Sequence, residues 1–273
     1  MPVAPELLQT AIEIVVRAGE IQLAKAGRGV RIDKKGPIDL VTEVDVEIER
    51  MCRGTLADRF PTHAVLAEEL PNAATGAAAP EYRWIFDPID GTVNYAHGLP
   101  IFCASLALEV AGQVEAGAVY DPSREELFVG ERGAGARLNG APLSVSPAAG
   151  LLDAVLCTGF PYDVHETADE VVGLFAEFVR RARAVRRLGS AALDLCYVAA
   201  GRLDGFWEQR LNPWDTAAGA LIVQEAGGRV TDLDGQPFTP FDGNVLASNG
   251  ALHDPMLEVV RGFSAARSRN RTD

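Results

Sequence analysis

Asp87 and Asp90 stand on either side of Pro88 and Ile89, at the end of the apolar run Trp84-Ile85-Phe86. Proline fixes φ and removes a donor, so the segment reads as a rigid turn that aims two carboxylates at one point. Gly91 and Thr92 follow at an expected helix start, where backbone N–H groups suit a phosphate. Glu68 and Glu69 end a second short apolar run, Ala64 to Ala67. Asp215 comes just after Pro213 and opens an apolar stretch rich in alanine. Oxygen-rich sites beside a phosphate suit Mg²⁺, a hard cation that keeps some waters and takes phosphate oxygens as ligands. Taken singly, each acid has a plainer reading. Asp87-Pro88 would be a turn, Asp90 a helix cap and Asp215 an N-cap residue.

These residues need elements to position them. Leu8, Ile12, Val15, Val16 and Leu23 predict an amphipathic helix over 5–26, stopped by Gly27. Thr42 and Asp45 predict a capping box at the start of a second helix. Ala64–Ala67 and 82–86 read as strands, with a loose loop over 71–80 between them. Strands are expected at 102–110, 114–120 and 125–129, and Asn139-Gly140 signals a hairpin. Composition shifts near 146–151. Beyond it strands (155–158, 184–188, 203–207) alternate with helices (167–183, 190–200, 214–226), which indicates layered α/β structure. Ser190 reads as the cap of the helix at 190. The expected division is 1–146 for a metal-binding unit and 147–273 for a substrate-specificity unit.

The motifs also carry a resemblance. WIFDPIDGTVNYAHGLPIF, beginning at Trp84, is similar to the first signature of the inositol monophosphatase family, and NPWDTAAGALIVQEAGG at 212–228 to the second. DLVTEVD at 39–45, AEE at 67–69 and GSAALDLCYVAAGRLDGFWE at 189–208 match in order between and before them. The resemblance implies an α/β fold of stacked α-β-α-β-α layers, a homodimer and lithium sensitivity. It implies two to three Mg²⁺ per site: one on Glu68, Asp87 and the Ile89 carbonyl, a second on Asp87, Asp90 and Asp215, and a weaker third near Glu68. Glu69 and Thr92 would orient the attacking water, with Asp90 also in the catalytic set. Asp90, Gly91, Thr92, Ala192, Glu208 and Asp215 would hold the substrate, Glu208 by accepting from a hydroxyl. The loop from Lys34 to Pro37 would lie over the site. Animal members carry histidine where this chain has Asn212.

Elementary electrostatics agrees with that assignment. Two carboxylates about 4 Å apart repel by roughly 4 kcal/mol at an effective dielectric near 20. Four or five together would oppose folding by an amount comparable to a domain's stability of about 5–15 kcal/mol. Such a cluster must bind cations, take up protons or spread apart.

The rest of the sequence narrows the function. With 25 Lys and Arg against 38 Asp and Glu, a formal net charge of −13 argues against a nucleic-acid or anionic-membrane binder. The run Leu99–Leu108 is too short to span a bilayer. Glu6 and Glu13 in the N-terminal apolar stretch argue against a signal peptide, so a cytoplasmic location is expected. The four cysteines show no CxxC spacing and read as reduced, buried thiols. Arg180, Arg181, Arg183, Arg186 and Arg187 read as a solvated face, with a dimer interface or the substrate's vicinity as alternatives. Asp232-Leu233-Asp234-Gly235 reads as a hairpin turn and SAARSRNRTD as a frayed terminus. The expected activity is hydrolysis of inositol 1-phosphate or a related sugar phosphate. Alternatives are fructose-1,6-bisphosphatase, histidinol-phosphatase, 3′-phosphoadenosine 5′-phosphate phosphatase, or a weakly catalytic metal-binding regulator. Inhibition by Li⁺ is expected. Full activity at high millimolar LiCl, against a matched NaCl control, would contradict it.

Overall fold

The computed structural model describes residues 3–27, 31–36, 38, 40–72 and 80–270. The expectations for Pro37, Asp39, residues 73–79 and residues 271–273 lie outside the described residues. Helix α1 (Pro5–Lys25) buries Leu7, Ala11, Ile14, Val15 and Ala18, and Pro5 at its first turn suits a position that needs no N–H donor. The short hairpin β1 (Ile32–Lys34) and β2 (Leu40–Thr42) leads into α2 (Glu43–Arg59). The Thr42–Asp45 capping box forms as expected.

Seven strands make the first sheet. They are β3 (Ala64–Ala67), β4 (Tyr82–Asp90), β5 (Cys103–Val110), β6 (Gln113–Asp121), β7 (Glu126–Glu131), β8 (Gly135–Leu138) and β9 (Ala141–Pro142). They lie side by side in that order, with β3 parallel to β4 and every later pair antiparallel. Asn139 and Gly140 both take positive φ, the backbone that a two-residue hairpin needs. The second sheet runs β11 (Ala184–Arg186), β10 (Val155–Thr158), β12 (Gly205–Glu208), β14 (Val245–Ser248), β13 (Arg229–Thr231).

Alternating side chains bind the layers together. Trp84 and Phe86 on β4 join the core under α1 and α2, whereas Ile85 between them joins the core under α5 (Ala191–Ala199) and α6 (Pro213–Glu225). In the second sheet Phe206 faces α5 and α6. Trp207 faces the other way, toward α4 (Val164–Val179) and α7 (His253–Asn270). The order is therefore helix pair, sheet, helix pair, sheet, helix pair. Being flanked on both sides, α6 is apolar nearly all round and lined with Ala217, Ala218 and Ala220.

Three expectations change. The turn at Asp87–Asp90 is instead the end of β4: Asp87 pairs with Ser105 and Asp90 with Cys103, so the segment holds one extra residue as a bulge. Pro88 suits that place because a bulge leaves a ladder position without an N–H donor. The first helix of the second half starts at Val164 and ends at Val179, not 167–183. The C-terminal segment is helical through Asn270, where fraying was expected. The Asp232 loop is the expected turn, its Oδ1 accepting from the N–H groups of Asp234 and Gln236. All four cysteines are buried and unpaired. No helix among the described residues is long and apolar enough to cross a membrane.

His253 is fully buried between Thr231 and Ser248, whose hydroxyls lie 2.9 and 3.0 Å from Nε2 and Nδ1. Burial, then the charge of Arg229, lower its pKa to about 4. An unfolded histidine titrates near 6.5. Between those values the unfolded chain takes a proton that the folded chain refuses. This contribution is intact above pH 6.5 and is lost as pH falls toward 4, by about 3 kcal/mol in full. Urea midpoints from pH 7 to 4.5 should fall less steeply for His253→Gln than for the natural chain. Parallel curves would sink the assignment.

Candidate active site

The carboxylates of Asp87, Asp90 and Asp215 each bring an oxygen within 4.8 Å of the others. Asp87 is 1 % exposed, and its Oδ1 accepts from the Ile89 N–H at 2.9 Å across the bulge. Asp90 is held from the far half of the chain. Its carboxylate accepts from Ser190 Oγ at 2.5 Å, from the Ala192 N–H at 2.7 Å and from the Ala191 N–H at 3.2 Å. The open N–H groups at the start of α5 thus close on a carboxylate of the first sheet. Asp215 is the third residue of α6, not its N-cap. Asn212 occupies the cap position, and its N–H donates to Asp215 Oδ2 at 2.6 Å.

Burial dominates the electrostatics. It pushes Asp87 and Asp215 well above the usual carboxylate range, with the charge of Glu68 next and those of their neighbours adding. Asp90 is raised as well, although the donors from Ser190, Ala192 and Ala191 pull the other way. Glu68 lies outside the tight group of three and, with Glu69, receives Lys35. The ammonium is 2.9 Å from Glu68 Oε1 and 2.6 Å from Glu69 Oε1. Burial, then the charge of Glu68, push Glu69 up to about 8 against the pull of Lys35.

Gly91 has φ +98°, and a Cβ there would stand 2.8 Å from the Ile101 carbonyl oxygen. Only glycine makes this corner without strain. The corner opens the short helix α3 (Thr92–Ala96). Thr92 Oγ1 lies 2.8 Å from the Ile89 carbonyl oxygen and 3.3 Å from Asp45 Oδ1. Asp45 Oδ2 meanwhile accepts from the N–H and hydroxyl of Thr42 at 2.8 and 2.5 Å. A buried glutamine of α1 braces the bulge from behind: Gln22 Nε2 donates to the Pro88 carbonyl at 2.8 Å.

A cleft opens beside the carboxylates. Asp90, Gly91, Thr92, Gly189, Ser190, Ala191, Glu208 and Asp215 line it, together with Arg187 and Asp194. Glu208 is 7 % exposed and is pushed up to about 8 by burial and by the charge of Asp194. Gly159 leaves it room, since a Cβ there would fall 2.1 Å from its carboxylate oxygens.

Sequence reasoning placed some of these residues differently. Ala192 does not line the cleft; it is fully buried, and its N–H serves Asp90. Ser190 is at the cap position, but its hydroxyl goes to Asp90 rather than to its own helix. Arg187 enters the cleft, in line with the alternative that put the basic run near the substrate, while Arg180 and Arg181 pair with Glu177 and Arg183 with Asp153. Asp45 was read as a cap alone, and it also meets Thr92. Its other oxygen, Oδ1, is the one that reaches Thr92, a contact no local spacing signals.

A sequence model of the inositol monophosphatase family matches residues 4–263. The chain belongs to this family. It is 41 % identical over 270 residues to an inositol-1-monophosphatase of Synechocystis, covering 96 % of this chain and 93 % of that one. It is 39 % identical over 258 residues to the Nus factor SuhB of Escherichia coli K12, covering 93 % and 96 %. Among solved structures, an IMPase of Thermotoga maritima is 39 % identical with a TM-score of 0.86, covering 96 % and 99 %. Two structures at 27 % identity are an IMPase/NADP phosphatase complexed with Mg²⁺ and phosphate (TM-score 0.78, 89 % and 90 % covered) and an inositol monophosphate-bound SaIMPase-II (0.81, 98 % and 100 %).

Gly91→Ala tests the corner. A left-handed residue with a Cβ costs about 1–2 kcal/mol before any clash, so a loss of about 2 kcal/mol in urea denaturation is expected. A loss below about 0.5 kcal/mol would show that the corner relaxes freely.

Proposed function

We propose that the chain is a Mg²⁺-dependent phosphomonoesterase acting on inositol 1-phosphate or a related small sugar or cyclitol phosphate. The observation that carries this reading is the convergence of Asp87, Asp90 and Asp215 within 4.8 Å, from two distant stretches of chain, at the edge of a cleft. The donor set is all oxygen, which fits a hard divalent cation. Asp87, Asp90 and Asp215, with Glu68 and the Ile89 carbonyl, would hold two to three Mg²⁺. Bound there, the ions would supply charge neutralisation at the phosphoryl oxygens and a more acidic water. The neighbours carrying Mg²⁺ with phosphate and inositol monophosphate support this class of ligand.

The chain's own groups take the remaining work. The N–H groups of Gly91 and Thr92 donate to the phosphate. Thr92 directs its hydroxyl proton to the Ile89 carbonyl or Asp45, which leaves its lone pairs to fix the attacking water. Glu69 accepts that water's proton as the new P–O bond forms and the ester bond breaks, and the departing alcohol oxygen takes up a proton from solvent water. Glu208 accepts from a hydroxyl of the alcohol part and orients it. A second reading, a binding role without turnover, is favoured by the relatives named Nus factor SuhB.

Phosphate release with Mg²⁺ from inositol 1-phosphate, fructose 1,6-bisphosphate, histidinol phosphate and 3′-phosphoadenosine 5′-phosphate tests the proposal. Inositol 1-phosphate is expected to be preferred, and Asp90→Asn to abolish release with the far-UV spectrum unchanged. Mg²⁺ at about 100 times its Kd should stabilise the natural chain by about 2.7 kcal/mol. No Mg²⁺ effect on melting, together with an active Asp90→Asn, would overturn the site. No release from any substrate would favour the binding role.

A further inference from the structure

Asp194 is a buried carboxylate of the cleft to which none of these roles applies. It lies on α5, is 1 % exposed, and lines the cleft with Glu208 and Arg187. An acid near a helix start usually serves the helix N–H groups. Here that work is already done. The N–H groups of Ala191 and Ala192 donate to Asp90, and the Asp194 N–H itself bonds the Ser190 carbonyl. Asp194 Oδ1 meets no hydrogen-bond donor of the protein. The nearest side-chain donor to its carboxyl is the Cys157 thiol, a weak one. Folded proteins seldom leave a buried carboxylate oxygen in this condition without a use for it.

Glu208, at the end of β12, brings a second carboxyl to the same cleft. Two acceptors from two elements call for two donors on one ligand. We infer that the Asp194 carboxylate, in the wall of the cleft, accepts a hydrogen bond from a substrate hydroxyl other than the one Glu208 takes. The cleft thereby selects phosphate esters of polyols over esters of alcohols without further hydroxyls. The inference rests on the phosphomonoesterase reading above and adds a specificity determinant to it.

The test compares Asp194→Ala and the near-isosteric Asp194→Asn with the natural chain, on inositol 1-phosphate and on p-nitrophenyl phosphate, with Mg²⁺. For Asp194→Ala, kcat/KM on inositol 1-phosphate is expected to fall about tenfold or more, chiefly through KM, as loss of a hydrogen bond to a charged group requires. On p-nitrophenyl phosphate it should stay within about twofold. Asp194→Asn keeps one acceptor oxygen and should lie between. Asp194→Asn, which keeps the shape of the side chain, should melt close to the natural chain. An equal fall on both substrates, or no change on either, overturns the inference while leaving the phosphatase reading in place. A natural chain that cleaves p-nitrophenyl phosphate but no polyol phosphate overturns the substrate reading and the inference together.

Discussion

Like charge packed out of water is the constraint on which the molecule is organised. At 4.8 Å and an effective dielectric near 20, each pair among Asp87, Asp90 and Asp215 repels by about 3 kcal/mol if fully ionised. Three pairs approach the net stability of a domain. The fold therefore surrounds these oxygens with rigid donors on one side and leaves the other side open to a cation. Asp90 shows the first device, with a hydroxyl and two amides fastened to it. Lys35 shows the second, reaching Glu68 and Glu69 from a short exposed segment.

Rigidity at that point is inherited from the layers. The bulge at the end of β4 is backed by Gln22 of α1, and the Tyr95 hydroxyl donates to the Gln22 carbonyl at 2.9 Å. Asp215 is carried by a helix clamped between two sheets. Its small, apolar sides let both sheets approach, so the helix has little freedom to roll or slide. The two carriers of charge are thus fixed by different cores and meet at their common edge.

Much of this was legible in the residues, and the reason differs from place to place. Helix α1 showed itself by apolar spacing, α2 by Thr42 and Asp45, and the hairpin by Asn139-Gly140, all of them local signals. Asp87, Asp90 and Asp215 were recognisable because their motifs are specific in order and spacing. The contacts of Ser190, Ala192 and Arg187 were not legible, for a shared reason. Their partners lie across the fold: Ser190 and Ala192 serve Asp90, and Arg187 turns into the cleft above the Phe160 ring. Local rules see a cap or a solvated face, because no sequence window contains both ends of such contacts. Strands β13 and β14 are three and four residues long and bracket a loop, too short to declare themselves by alternation.

The separation of these acids along the chain also orders events during synthesis. A ribosome releases Asp87 and Asp90 with the first sheet, long before α5 and α6 exist. Until then Asp90 lacks its donors from Ser190, Ala191 and Ala192, and Asp215 has not joined the group. The full cluster, with its repulsion and its capacity for divalent ions, appears only when α6 docks. Each nascent chain therefore assembles the three-carboxylate group late, in the same step that closes the core between the two sheets.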